Sequence, residues 1–373
     1  MKNILLSQGA GPIGIFDSGY GGLTVLEKIR EVLPQYDYVY LGDNARNPYG
    51  TRSFEIVYEF TLQAVNKLFE MGCHLVILAC NTASAKALRS IQMNDLPKID
   101  PQRRVLGVIR PTAECINNIT KSKHVGVLGT IGTIKSESYT LEVHKLFPDI
   151  QMVGQACPLW VPLVENNENN NDGADYFIKK YINAILNKDK EIDTIILGCT
   201  HYPLLLPKIQ QYIPKGINII SQGIYVANSL KDYLFRHPEM DKKCTKKGTC
   251  RFFTTEAEEK FIESASNFLN KNIRVQHITL EDKKQLLIHT HMEDDKSQSV
   301  EVFKGDPWET QVIKDLLERN NILSVVKSGS LSTLSPYLGS TESVLVLERN
   351  YNAAKIIIDN YQQKKGKEEN QQK

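Results

Sequence analysis

The chain has 373 residues, of which 41% are apolar and 24% charged, a globular balance that excludes disordered, collagen-like and fibrous classes. Lysine and arginine outnumber aspartate and glutamate by only 45 to 43, so the charge requires no nucleic-acid partner, while the length suggests two or three domains. No apolar run approaches the roughly 20 residues of a membrane span, and residues 1–6 are too short for a signal peptide, so a soluble, cytoplasmic protein without a membrane partner is expected.

Short β-like runs alternate with helical patterns, which predicts a parallel-sheet α/β architecture. Residues 13–16 read as a strand, followed by a Gly-rich turn and a helix over 23–33. Residues 38–41 form the next predicted strand, with a loop over 42–50 and a long helix over 53–71. Residues 75–78, Leu-Val-Ile-Leu, have the character of a strand buried on both faces. Residues 105–109 begin another unit; 125–128 and 195–197 are further strands, and the Asn/Glu run 166–171 is a surface loop.

Past residue 279 the character changes. Residues 289–298 are polar and acidic, as in a linker, and 299–303 restart as a strand. Asp306-Pro307-Trp308-Glu309 combines an N-cap, a first-position proline and a capping box, predicting a helix to about Asn320. Strands over 322–326 and 343–347 around a Ser-rich loop, then a helix over 352–361, complete a β-α-β-β-α unit. Residues 364–373 have little to bury and are expected to be disordered.

The first two-thirds of the chain repeats itself. Ile13-Gly14-Ile15-Phe16-Asp17-Ser18-Gly19 is answered 112 residues later (13 to 125) by Val125-Gly126-Val127-Leu128-Gly129-Thr130. The segment leading into Cys80-Asn81-Thr82 is answered 119 residues later (80 to 199) by the one leading into Cys199-Thr200-His201. Two echoes in the same order predict two similar α/β lobes.

Seven cysteines with no C-x-x-C pair argue against a disulfide framework. Cys244 and Cys250 lie in a Lys-rich stretch but lack the second pair a metal site needs, and no metal is expected. Cys73, Cys115 and Cys157 read as packing residues. Cys80 and Cys199 differ, because each falls just past a buried strand. Ligands collect at the carboxyl ends of parallel strands, and helix N-terminal amides there favour a thiolate.

A nucleophilic protease needs one thiol with a histidine, and a redox pair needs sulfurs within bonding distance. Two thiols on opposite faces of one carbon would instead invert a stereocentre, one removing a proton while the other delivers one. Asp17 and His201 are the natural neighbours to adjust them. Gly19-Tyr20-Gly21 hints at a dinucleotide turn, but Thr24 occupies the place of the third glycine.

Gly14-Ile15-Phe16-Asp17-Ser18-Gly19-Tyr20-Gly21-Gly22, Tyr40-Leu41-Gly42-Asp43 with Pro48-Tyr49-Gly50, Ala79-Cys80-Asn81-Thr82, and Gly198-Cys199-Thr200-His201-Tyr202-Pro203-Leu204 closely resemble the bacterial glutamate racemases. Gly129-Thr130-Ile131-Gly132-Thr133 and the segment from Cys157 to Glu165 support the resemblance, which covers roughly residues 12–278. The two Cys motifs alone would also fit aspartate racemases, and a non-catalytic regulator on the same fold is a further alternative.

The resemblance implies a fold of two pseudosymmetric parallel-sheet α/β lobes with the active site between them, and a small C-terminal α+β domain. Lobe 1 would span 12–110 and lobe 2 111–224, with 225–278 ending the racemase region and available to complete lobe 1. A linker over 279–298, an accessory domain over 299–363 and the tail 364–373 follow. The implied activity is cofactor-independent racemisation of glutamate by a homodimer, supplying D-glutamate for peptidoglycan and hence cell-wall biogenesis and cell shape.

By motif, Cys80 would exchange the proton of D-glutamate and Cys199 that of L-glutamate. Asp17 would assist Cys80 and His201 would assist Cys199, with Asp43 and Glu165 as further catalytic polar positions. Asp17, Ser18, Tyr49, Gly50, Asn81, Thr82, Thr130, Thr200 and His201 would hold the substrate. The C-terminal motifs, Val300-Glu301-Val302-Phe303, Pro307-Trp308-Glu309 and Pro336-Tyr337-Leu338-Gly339, resemble a small α+β domain associated with signal transduction.

Overall fold

The computed structural model describes residues 9–269, 273–280, 299–305, 307–320, 322, 324–328 and 342–371. The chain divides into two compact units, Met1–Leu280 and Glu281–Lys373.

The first unit holds two sheets whose strands are all parallel. One contains β1 (Ile13–Asp17), β2 (Tyr38–Gly42), β3 (Leu75–Leu78) and β4 (Arg104–Gly107), in the order β2-β1-β3-β4. The other contains β5 (His124–Gly129), β6 (Gln151–Ala156), β7 (Thr194–Gly198) and β8 (Asn218–Ser221), in the order β6-β5-β7-β8. Each lobe therefore places its first strand centrally and its third beside it, the spatial form of the sequence echo. Two later strands, β9 (Cys250–Thr254) and β10 (Val275–His277), add to the free edge of β2. The chain after residue 224 thus returns to the first sheet.

The central strands are as buried as their apolar runs predict: every residue of β1, β2, β3 and β7 is inside. Truncating one such side chain, Ile77→Ala for example, removes apolar surface and leaves a void, at a cost of about 2–5 kcal/mol. The strands that sequence reading leaves unassigned, β6, β8, β9 and β10, include short or partly exposed edge strands. In Gln151–Ala156 no residue is fully buried. Such segments lack the apolar run that marks a strand closed on both faces. The long helix is Phe54–Glu70, begun by Ser53, whose Oγ accepts from Ile56 N at 3.3 Å.

The second unit is an antiparallel sheet with strand order β11-β13-β12, formed by β11 (Ser299–Gly305), β12 (Ser324–Ser328) and β13 (Glu342–Leu347). Helices Pro307–Arg319 and Tyr351–Gln371 pack on it around Val302, Ile313, Leu317, Val344, Val346 and Ile358. The expected β-α-β-β-α order is present, with the second strand lying two residues later than predicted. Asp306, residues 336–339 and the linker over 281–298 lie outside the described residues. One expectation needs correction: the final helix continues to Gln371, through most of the predicted disordered tail. Lys, Glu and Gln dominate that stretch, and they favour helix even where there is nothing to bury.

A chain ending near residue 290 should stay soluble and keep the unfolding transition of the first unit. Residues 297–363 alone should show their own cooperative melt, although at about 65 residues a marginal one. Thermal melts of both pieces test this division; aggregation of the shortened chain would contradict it.

Candidate active site

The carboxyl ends of the two sheets border one cleft of about 300 Å³. The first lobe contributes Ser18, the loop 47–51 after β2, and Cys80, Asn81 and Thr82 after β3. The second contributes Thr130 after β5, Cys157 to Glu165 in part after β6, and Cys199, Thr200 and His201 after β7. Both candidate thiols therefore line the same space from equivalent strand ends.

Cys80 is the N-cap of helix Asn81–Lys86, and its Sγ accepts from Ala83 N at 3.4 Å. Ser18 Oγ lies 3.4 Å from the same sulfur. Burial, reinforced by the negative charge of Asp17, pushes this thiol up to about 12 against the pull of those two contacts. The resting Cys80 is accordingly a thiol.

Cys199 stands in a different relay. Its Sγ lies 3.8 Å from His201 Nδ1, and His201 Nε2 lies 2.9 Å from Glu165 Oε1. Burial opposes a charge on His201, but Cys199 and Glu165 outweigh it and raise the imidazole to about 10. Glu165 is itself held below the usual carboxylate range: burial raises it, and His201 and Asn47 outweigh that.

Asp17 is fully buried and does not line the cleft. Its Oδ2 accepts from Gly19 N at 3.0 Å and its Oδ1 from Thr200 Oγ1 at 3.5 Å. Burial raises its pKa, with His201 and backbone N–H groups pulling the other way. It acts on Cys80 through charge, while Ser18 makes the direct contact. Asp43, placed by motif among the catalytic groups, also lies behind the wall. It accepts from Arg46 Nε at 2.7 Å, from Thr255 Oγ1 at 2.9 Å and from the Tyr49 hydroxyl, so it fixes the loop that reaches the cleft.

Among the expected substrate-holding residues, Ser18, Tyr49, Gly50, Asn81, Thr82, Thr130, Thr200 and His201 all line the cleft. Cys157 joins them, although read from sequence as packing; burial holds its thiol well above the usual range. Sequence reasoning also misses the groups that aim these side chains. Tyr139 donates to Asn81 Oδ1 at 2.7 Å, Asn81 Nδ2 donates to Gln222 Oε1 at 2.6 Å, and Gln222 donates to Thr112 at 3.2 Å. Their partners are distant in sequence, so no local pattern could reveal them. Trp160, fully buried, meets Tyr202 edge-on at 4.8 Å and braces the turn that carries His201. Among the described residues, no group of three His, Cys, Asp or Glu side chains is arranged to hold a metal, Cys244 and Cys250 included.

The raised imidazole has a consequence for stability. Its ordinary value is 6.5 and its value in the fold about 10, so proton binding favours the folded chain. That contribution is complete below about 6.5 and is lost as pH rises through about 10. His201→Asn lacks it, so the Tm difference from wild type should narrow as pH rises across that window. A constant or widening difference would contradict the relay.

Two thiols, a histidine backed by a carboxylate, and short polar side chains at facing strand ends form a site suited to proton exchange at one carbon. Known proteins resemble this arrangement. Residues 13–227 match the Asp/Glu/Hydantoin racemase family, and residues 299–362 match a family described as "Putative prokaryotic signal transducing protein". The glutamate racemase of Shouchella clausii is 40% identical over 260 residues, 69% of this chain and 90% of that protein. That of Geobacter metallireducens is 37% identical over 275 residues, 73% and 98% of the two chains. Among solved structures, a glutamate racemase isoform from Bacillus anthracis superposes with TM-score 0.66 at 34% identity, covering 72% of this chain and all but 2% of its own. The Francisella tularensis glutamate racemase in complex with D-glutamate gives 0.65 at 31% identity, with coverages of 72% and 98%. With the family model matching residues 13–227, more than half its length, this chain belongs to the Asp/Glu/hydantoin racemase family.

Proposed function

We propose that this protein racemises glutamate by a two-base mechanism that needs no cofactor. The observation that carries the reading is that Cys80 and Cys199 occupy corresponding strand ends of two lobes and line one cleft. The glutamate racemases that resemble the chain over nearly their whole length supply the substrate.

In the L-to-D direction, Cys199 is the base. His201, an imidazolium with Nδ1 toward the sulfur and Nε2 on Glu165, stabilises Cys199 as the thiolate. The thiolate removes the α-proton, and Cys80 delivers its own proton to the opposite face. Cys199 ends as a thiol and Cys80 as a thiolate; proton exchange with water restores the starting state. The raised Cys80 thiol suits this direction, because it is loaded with the proton it must give. The D-to-L direction runs the same steps backward.

Ser18, Asn81, Thr82, Thr130 and Thr200 offer hydroxyl and amide groups to the substrate carboxylates and ammonium, with Tyr49 and Gly50 closing one side. Asp17 acts through its charge, and Asp43 through the loop it anchors. The product, D-glutamate, would serve peptidoglycan synthesis in the cytoplasm, and a homodimer is the expected assembly.

Circular dichroism tests this on the purified chain. L-Glutamate should decay to an equal mixture with no added cofactor, because enantiomers have equal free energy in achiral water. Cys80→Ala and Cys199→Ala should each lower the rate by at least about 10²–10⁴, the scale of a lost acid–base group. Dependence on pyridoxal phosphate, faster turnover of aspartate, or near-normal rates in either variant would overturn the proposal.

A further inference from the structure

The motifs do not single out Asn47, yet three observations converge on it. First, its loop is clamped on both sides: Arg46 and Tyr49 both donate to the fully buried carboxylate of Asp43. Second, its amide Nδ2 donates to Glu165 Oε1 at 2.8 Å, from the first lobe to the second. That oxygen also faces His201 Nε2 at 2.9 Å, and His201 in turn faces Cys199. Third, Gly19 leaves room beside this contact. A Cβ there would lie 3.3 Å from Asn47 Nδ2 and 3.5 Å from Glu165 Oε1.

We propose that Asn47 is a positioning residue for the Cys199 side of the site: it orients Glu165, and through it His201, from the opposite lobe. The alignment of one base is thereby tied to the meeting of the two lobes. An amide suits the task better than a charge. It fixes one carboxylate oxygen without neutralising it, so Glu165 keeps its full attraction for the imidazolium. The chain of contacts also gives Asp43 a part: it holds the loop in which Asn47 sits and does not itself line the cleft.

This inference rests on the two-thiol reading above. For a racemase the equilibrium constant is one, so kcat/KM must be the same in both directions for any variant. A defect on one side therefore shows in isotope effects. Loss of Cys199 alignment raises the barrier for proton transfer at that sulfur alone. With α-deuterated L-glutamate that barrier is the isotopically sensitive step itself, and the effect is enlarged; with α-deuterated D-glutamate it lies beyond that step and masks it.

The experiment uses the full chain with Asn47→Ala, and with Asn47→Asp as a variant that keeps the shape but loses the donor. Both should lower kcat/KM about tenfold or more, the scale of a misaligned catalytic group. The ratio of the L to the D isotope effect on kcat/KM should rise, and Glu165→Gln should cost little more when added to Asn47→Ala. Unchanged kcat/KM, an unchanged or falling ratio, or additive losses in the double variant would overturn the role of Asn47. A wild-type chain inactive on glutamate would instead remove the reading beneath it.

Discussion

The Cys199–Thr200–His201 turn of one lobe lies directly against the start of helix Gly22–Val32 in the other, and the missing side chain of Gly21 makes that contact possible. A Cβ at Gly21 would fall 2.3 Å from Thr200 Oγ1 and 2.5 Å from His201 Nδ1, distances no side chain could tolerate. Gly22 plays the same part toward Asp17, whose Cβ would lie 2.5 Å from an added one. With backbone where side chains would stand, Thr24 Oγ1 reaches Thr200 O at 3.1 Å and Thr200 Oγ1 reaches Asp17. Everything else in the site depends on this approach. It sets the lobes close enough for thiols on separate sheets to share a cleft.

Closeness brings charged groups into an apolar interior, where each must be matched. Asp17 and Glu165 are the acidic groups and His201 the basic one, and the direction of each shift follows from this arrangement. Burial wins at Asp17, whereas pairing wins at Glu165 and His201. The two thiols consequently sit in unequal surroundings despite the symmetry of the sheets. Cys80 has a hydroxyl, a backbone N–H and a nearby negative charge; Cys199 has an imidazole backed by a carboxylate. A two-lobed fold supplies the symmetry of position, and local residues supply the difference in protonation that a proton transfer needs.

Much of this was legible in the sequence, for identifiable reasons. Leu75–Leu78 and the run into Cys199 are buried on both faces, so their composition alone marks them as central strands. The repeated strand–Cys pattern then places both thiols at strand ends. Motif marks Glu165 and His201 but not the bond between them, because 36 residues separate them. Gly19-Tyr20-Gly21 reads as an imperfect dinucleotide turn, whereas Gly21 answers to a steric demand from the other lobe. Asn47, Tyr139 and Gln222 were invisible, since their partners lie 118, 58 and 141 residues away. Edge strands such as β6 were missed because one open edge relaxes the demand for apolar residues. Asp43 sits one layer behind the cleft: a motif records that a residue matters, without recording whether it touches the cleft.

The central claim is that two different thiols serve opposite faces of one carbon. Racemisation in deuterated water, followed by circular dichroism from each pure enantiomer, addresses it most directly. If the second thiol delivers a solvent-derived deuteron, the product is labelled and returns more slowly than the unlabelled substrate leaves. The optical signal should then overshoot zero before settling there, from both starting enantiomers. A monotonic approach to zero, with label accumulating early in unreacted substrate, would point to a single base and contradict the account.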